Sequence, residues 1–448
     1  MISSFTVSII LLLIWSLAYL CVKKRLVTAK VYFLILGIMA SAGVILDLDK
    51  YVYYVSQRYD VWNIILFAFL LLLVIIPWMK YDRATRNNQY IINPRYYIAY
   101  ITILIFFVIF SLITIAYCLP YSLAAMTMGA EFIRNETEGG LLPASFMTTF
   151  ASAIAALAPI GILFFFIGYT SKKLKKYSYW YLLLPISSVV HSMACAAREL
   201  YVFLPITFMI MFLFFKNSIH PKSLKRIKTV FLIIGIALIS IFMTFTISRF
   251  GEYGSDSFIS GTWGYIFQQP FVFDQTLQYF DNYKGFSKHL SFFGNILGMS
   301  TIKKDLVMST EWSFGTMYKG FYEMFGYTSL LIGSILYISF FNFMAIISIR
   351  FKHSFATLIN FSLFIWFTVS GLFYFRYGAN SSYFILYMLL MIGSFFIPRR
   401  FIITKKKEKK VEEKRRKRNI LRPYNYNPYI YYTLNEKKTD KNDSQATK

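Results

Sequence analysis

Residues 96–118 read YYIAYITILIFFVIFSLITIAYC, a stretch without one charged side chain. As a helix it rises about 35 Å, enough to cross a hydrocarbon core of roughly 30 Å. Polar and apolar residues do not alternate in it, so it does not read as a barrel strand. No polar stripe recurs at helical spacing, so such a helix has no side to turn to water. Lipid or other apolar helices must surround it.

Working outward, runs of the same kind recur at 2–22, 29–48, 61–79, 146–169, 178–196, 200–215, 229–247, 327–349, 355–375 and 383–398. The expected fold is therefore all-α: a polytopic helical membrane protein of about eleven transmembrane helices. The composition agrees, with 57% hydrophobic and 15% charged residues, against about a quarter charged in soluble domains. The first run lacks a basic leader and a small-residue cleavage site, and reads as a retained helix. Cys21, Cys118 and Cys195 lie in or at the ends of apolar runs without metal spacing, so neither disulfide nor zinc chemistry is expected.

The net charge of +26 is distributed by side. Basic clusters follow the first, third, fifth, seventh, ninth and eleventh runs: KKR at 23–25, Lys80 to Arg95, KKLKK at 172–176, PKSLKRIK at 221–228, RFK at 350–352 and the tail from Arg399. These segments hold 34 of the 47 basic residues but only 7 of the 21 acidic ones. The excess of Lys and Arg on alternate connections predicts an external N-terminus and a cytoplasmic C-terminus. The charge thus sets orientation and attraction to membrane lipid, and no nucleic-acid partner is expected. Residues 1–398 form the expected membrane domain, and 399–448 a basic, disordered cytoplasmic tail. The connection 249–325 is a large outer loop in which twenty residues are Phe, Tyr or Trp, and short helices resting on the membrane face are expected there.

The stretch HSMACAAREL, 191–200, carries the only charges between Tyr177 and Phe215, namely Arg198 and Glu199. Two readings stand. The pair marks a hairpin tip at the outer interface, or Arg198 grips an anionic group through its guanidinium fork. The absence of Gly, Pro, Asn and Asp there favours the second. Arg249 in SRFGEYG, Arg376 in FYFRYGANSS and Arg134 in EFIRNETEGG are expected at the same depth. Together the four arginines would line a pocket for a lipid-linked diphosphate; taken singly, each would snorkel to the interface. Candidate proton acceptors are His289, Glu252, Glu199, Asp256, Asp274 and His191, the last read first as a hydrogen-bonded structural group. Trp263, Tyr265, Trp312 and Tyr318 offer faces for sugar rings, although an interfacial aromatic belt explains them as well. No HExxH, DxD, P-loop or glycine-rich nucleotide motif occurs, so no metal or cofactor is expected.

SMACAARELYVFLPITFMI, STEWSFGTMYKGFYEMFGYTSLLIGSILY and the layout of many spans with a late outer loop resemble the Wzy-type O-antigen and capsule polysaccharide polymerases. The resemblance implies transfer of a growing glycan from undecaprenyl diphosphate to the next lipid-linked repeat unit, outside the bacterial cytoplasmic membrane. It implies metal-independent catalysis, diphosphate binding by Arg198, Arg249 and Arg376, and a chain-length regulator and a flippase as partners. Two departures stand: eleven residues separate Arg249 from Gly261 where relatives have ten, and Glu323-Met324-Phe325-Gly326 replaces an Asp-Phe-Gly ending. The alternatives are a transporter or flippase of a lipid-linked glycan or other anionic solute, and a glycan ligase of similar layout.

Overall fold

The structure, a computed structural model, describes residues 2–24, 26–45, 58–85, 90–128, 141–195, 197, 199–250, 267–279, 315–373 and 381–404. Helix dominates them. α1 (Ser4–Cys21) and α2 (Val27–Ile45) form a hairpin, and α3 (Val61–Leu73) runs on into α4 (Ile75–Thr85). A short strand, β1 (Tyr90–Ile92), precedes α5 (Tyr97–Met128). There follow α6 (Phe146–Ala155), α7 (Ala158–Tyr169), the single turn α8 (Lys175–Ser178), α9 (Leu183–Ala194), α10 (Glu199–Phe215) and α11 (Pro221–Phe250). Two shorter helices, α12 (Gln269–Tyr279) and α13 (Met317–Phe325), lie before α14 (Tyr327–Arg350), α15 (Ser354–Phe373) and α16 (Ser381–Gly393). Strand β2 (Ile402–Thr404) pairs with β1. Among the described residues eight helices are long and apolar enough to cross a membrane, nine if α6 and α7 count as one bent span. The chain is an all-α, multi-pass membrane protein.

The centre of the bundle is α15, buried from Phe355 to Phe373. Trp78 of α4, Phe341 of α14 and Phe203 of α10 pack on it, with ring centroids 5.4 Å and 5.0 Å from Phe364 and 6.3 Å from Trp366. The periphery is apolar too. Ile98 and Phe106 of α5 and Leu232 and Ile236 of α11 are more than half exposed. In water such faces would be unfavourable; against acyl chains they are the expected surface.

The bend between α6 and α7 has a local cause. Pro159 in the first turn of α7 has no N–H to give to the helix before it, and α6 and α7 meet at 43°. In hydrocarbon, carbonyls at such a bend are held by side chains of neighbouring helices. Tyr387 of α16 donates to the Ala156 carbonyl at 2.8 Å, and Ser362 of α15 to that of Pro159 at 3.0 Å. Close by, Gly161 lets α9 approach, since a Cβ there would lie 2.7 Å from the Leu184 Cβ.

The helices run up and down between two ends. At the end where α1 begins, the loop end, Ile2 bridges to Tyr59, and Asp60 caps α3 by accepting from the Trp62 amide at 3.1 Å. At the opposite, basic end, Asp82 accepts from Thr28 Oγ1 at 2.5 Å and from the Ala29 amide at 3.1 Å, so a carboxylate from α4 caps the start of α2. The Trp78 indole donates to the same Thr28 hydroxyl at 2.9 Å.

Several expected boundaries move. The run 178–196 is a 3₁₀ turn, Tyr179–Leu182, followed by α9 of 12 residues. That helix rises only about 18 Å. Its buried polar residues Ser187, Ser188, His191 and Ser192 face protein, not lipid. α5 continues ten residues past 118, through Pro120. α11 starts at Pro221 and reaches Phe250, so Arg249 belongs to its last turn and not to the following loop. α16 ends at Gly393, short of 398. Arg399 to Ile403 do not begin a disordered tail. They belong to the compact unit that ends at Ile403, with Phe401 and Ile402 buried and the Asn93 amide donating to the Phe401 carbonyl at 2.9 Å. Residues 405–448 lie outside the described residues.

Candidate substrate site at the loop end

The α9–α10 junction holds without Gly or Pro. The Ala197 amide donates to the Ser192 carbonyl at 2.9 Å, and the Ser192 hydroxyl donates to the Ala197 carbonyl at 2.9 Å. The Cys195 amide donates to the His191 carbonyl at 3.2 Å. Ser192 thus supplies the turn chemistry that the apolar stretch lacks. Arg198 itself lies outside the described residues; its predecessor Ala197 and its successor Glu199, which opens α10, are fixed. Glu199's side chain also lies outside them.

Ring contacts join described helix residues that neighbour three of the arginines in sequence. Tyr201, three positions after Arg198, stacks on Phe245, four positions before Arg249, with centroids 6.2 Å apart and planes at 15°. Phe203 stacks on Phe373, three positions before Arg376, at 5.9 Å and 28°. The fourth segment ends at the same junction: the Leu141 amide, seven positions after Arg134, donates to the Ala194 carbonyl at 3.3 Å. The side chain of Arg249, and Arg134 and Arg376 entirely, lie outside the described residues, as do Glu252, Asp256, Trp263, Tyr265, His289 and Trp312.

Three other candidates are described. His191 is buried, with Nε2 2.9 Å from the Ser152 hydroxyl of α6, which fits its reading as a hydrogen-bonded structural group. Asp274 of α12 is fully buried and ties the outer loop to α3. Its Oδ1 accepts from Asn63 Nδ2 at 2.8 Å and from the Asp60 amide at 3.3 Å, and its Oδ2 from Gln278 Nε2 at 2.8 Å. Burial pushes this carboxyl above the usual carboxylate range; the hydrogen bonds oppose the shift and the nearby Asp60 adds to it. A carboxylate held by three donors is an anchor, not an open base. Tyr318 corrects an expectation. It is fully buried, donates to the Leu70 carbonyl at 2.6 Å and packs on Phe321, so no ring face is open to a sugar.

The two described parts of the outer loop are helical, as expected, but they are built into the bundle. Gln269 to Leu277 of α12 and Met317 to Met324 of α13 are all buried. Beneath them lies a small, mainly apolar cavity of about 20 Å³, room for a single water molecule, lined among others by Trp15, Met39, Phe67, Thr316 and Leu372. Glu323 is paired in α13 with Lys319 at 3.6 Å, both side chains buried. The sequence signal for that pair was the i, i+4 spacing in MYKGFYEMFG. Among the described residues no three His, Cys, Asp or Glu side chains come together to hold a metal.

Comparison with family models, curated proteins and solved structures finds no match to this chain.

Proposed function

We propose that the chain polymerises lipid-linked oligosaccharide repeat units at the outer face of a bacterial cytoplasmic membrane. The observation that carries this reading is the convergence of the segments bearing Arg134, Arg198, Arg249 and Arg376, drawn together by the Tyr201–Phe245 and Phe203–Phe373 stacks and the Leu141–Ala194 hydrogen bond. The charge asymmetry turns that end outward. In the reaction an acceptor hydroxyl attacks the anomeric carbon of the donor glycan. The new glycosidic bond forms as the bond to the diphosphate breaks, and polyprenyl diphosphate leaves with the electron pair. Preorganised guanidinium groups stabilise the charge that builds on it, and the hydroxyl proton passes to a carboxylate or imidazole, for which Glu199, Glu252 and His289 are the candidates.

A transporter is the competing reading, and broken helices such as α6–α7 are common in transporters. Here, however, the carbonyls exposed at the bend are taken up by Tyr387 and Ser362. The test reconstitutes the full chain in proteoliposomes with a polyprenyl-diphosphate-linked oligosaccharide on the outside. A ladder of products differing by one repeat unit is expected. Movement of intact donor across the bilayer without any new glycosidic bond would support the transporter instead.

A further inference from the structure

A second cluster, at the basic end, lies far along α11 from the loop end. Lys175 of α8 donates from Nζ to the Ser223 hydroxyl at 2.6 Å and sits 4.7 Å from the centroid of the Tyr169 ring. Tyr179 donates to the Tyr169 hydroxyl at 3.1 Å. Arg226, one turn beyond Ser223 on α11, is close enough for its charge to act on both Tyr169 and Lys175. Two cations and three hydroxyls therefore share one small region. The stretches 169–182 and 216–228 contain no Asp or Glu, and neither Lys175 nor Arg226 has a carboxylate partner among the described residues.

Like charges this close repel unless an anion lies between them. Burial and, after it, the Arg226 charge push the Lys175 ammonium below its usual range, and the Tyr169 ring and the Ser223 hydroxyl offset that only in part. The chemistry of the set, an ammonium, a guanidinium and hydroxyl donors, suits phosphate oxygens. The surface beside it suits a lipid. Ile233 and Ile236, seven and ten positions after Arg226, continue its face of the helix and are 62% and 57% exposed. An acyl chain can run along that stripe while its headgroup stays at Arg226.

We propose that Lys175, Arg226, Ser223, Tyr169 and Tyr179 form a binding site for the phosphate of an anionic membrane phospholipid. The full chain in detergent is titrated with dioleoyl phosphatidylglycerol, and separately with dioleoyl phosphatidylcholine, while bound lipids are counted by native mass spectrometry. The wild type is expected to bind the anionic lipid more tightly at its first site. Each basic group near an anionic lipid is worth roughly fivefold, so Lys175→Gln/Arg226→Gln should weaken that site about thirtyfold and leave phosphatidylcholine binding unchanged. Lys175→Arg/Arg226→Lys should keep the preference, and so should Lys172→Gln/Lys173→Gln, which removes two exposed lysines nearby. If the double glutamine variant does not purify as a monodisperse protein, Arg226→Gln alone, at an exposed position, should lose about fivefold. Unchanged binding in these variants, or an equal loss in the Lys172/Lys173 control, overturns the proposal. Displacement of the lipid by glycerol phosphate at matching concentration also overturns it, because the phosphate would then come from solution.

Discussion

Asn63→Leu gives the sharpest test of how the outer loop is attached. Asn63 donates to Asp274 Oδ1 at 2.8 Å, and this carboxylate is the polar link between α12 and α3. Leucine keeps the volume but removes the donor, leaving Asp274 buried with the Asp60 amide and Gln278. A hydrogen bond to a charged group is worth about 1.5–3 kcal/mol, so local opening of α12 should become about 10- to 150-fold more frequent. Hydrogen–deuterium exchange of residues 269–279 in the full chain reads this directly, with α15 as the unaffected internal reference. The wild type should also respond to pH. Burial raises the folded carboxyl's pKa above its unfolded value, so the folded state binds more protons than the unfolded one over the window above the ordinary carboxylate pKa. The contribution is therefore fully present below that ordinary value and is lost as pH rises through the raised one. After correction for intrinsic rates, α12 should exchange faster at high pH than at low pH, and Asp274→Asn should abolish the difference. Equal protection of 269–279 in wild type and Asn63→Leu would refute the anchoring role.

Other expectations follow from single contacts. Tyr387→Phe leaves the Ala156 carbonyl without its donor and should lower stability by about 1–3 kcal/mol, visible as an earlier thermal transition in detergent. Gly161→Ala puts a Cβ 2.8 Å from the Tyr181 backbone oxygen and should cost about 1–3 kcal/mol in the same assay. Ser192→Ala removes the hydroxyl that closes the α9–α10 junction; polymer yield should fall much further than the roughly 1 kcal/mol lost in stability, and a proportional fall in both would make Ser192 purely structural.

What could be read ahead of the structure was what depends on local composition. Residues 96–118 are helix because no other spanning structure satisfies their backbone in lipid, and seven other expected runs are spanning helices for the same reason, with 146–169 as a bent pair; 178–196 and 383–398 carry helices too short to be counted with them. Boundaries failed where tertiary contacts decide. α5 passes Pro120 and is held to α9 beyond it, where Ser122 donates back to the Cys118 carbonyl at 2.8 Å and across to that of Val190 at 2.7 Å. The run 178–196 is apolar on average, but its serines and His191 point into protein, and that direction depends on partners far along the chain. Tyr318 looked like an exposed aromatic because nothing in its neighbourhood reveals Leu70 as its partner, 248 residues away. Arg198 stood out by isolation alone, whereas the Ser192 hydroxyl that shapes its turn gave no comparable signal. The meeting of Tyr201 with Phe245 and of Phe203 with Phe373 is a property of helix packing, which hydropathy does not encode.

The central claim is that Arg198 grips a diphosphate at the loop end, as proposed above. Arg198→Lys keeps the charge and loses the bidentate fork, and removal of one such transition-state donor typically costs about a hundred- to a thousandfold in rate. The decisive measurement is the rate of polymer formation by Arg198→Lys and Arg198→Ala in proteoliposomes carrying the lipid-linked repeat unit, with protein amount and thermal transition matched to wild type. The account predicts that single repeat units accumulate on lipid and the ladder all but disappears. A full ladder formed by Arg198→Ala at the wild-type rate would contradict it and leave Arg198 as the tip of a helical hairpin.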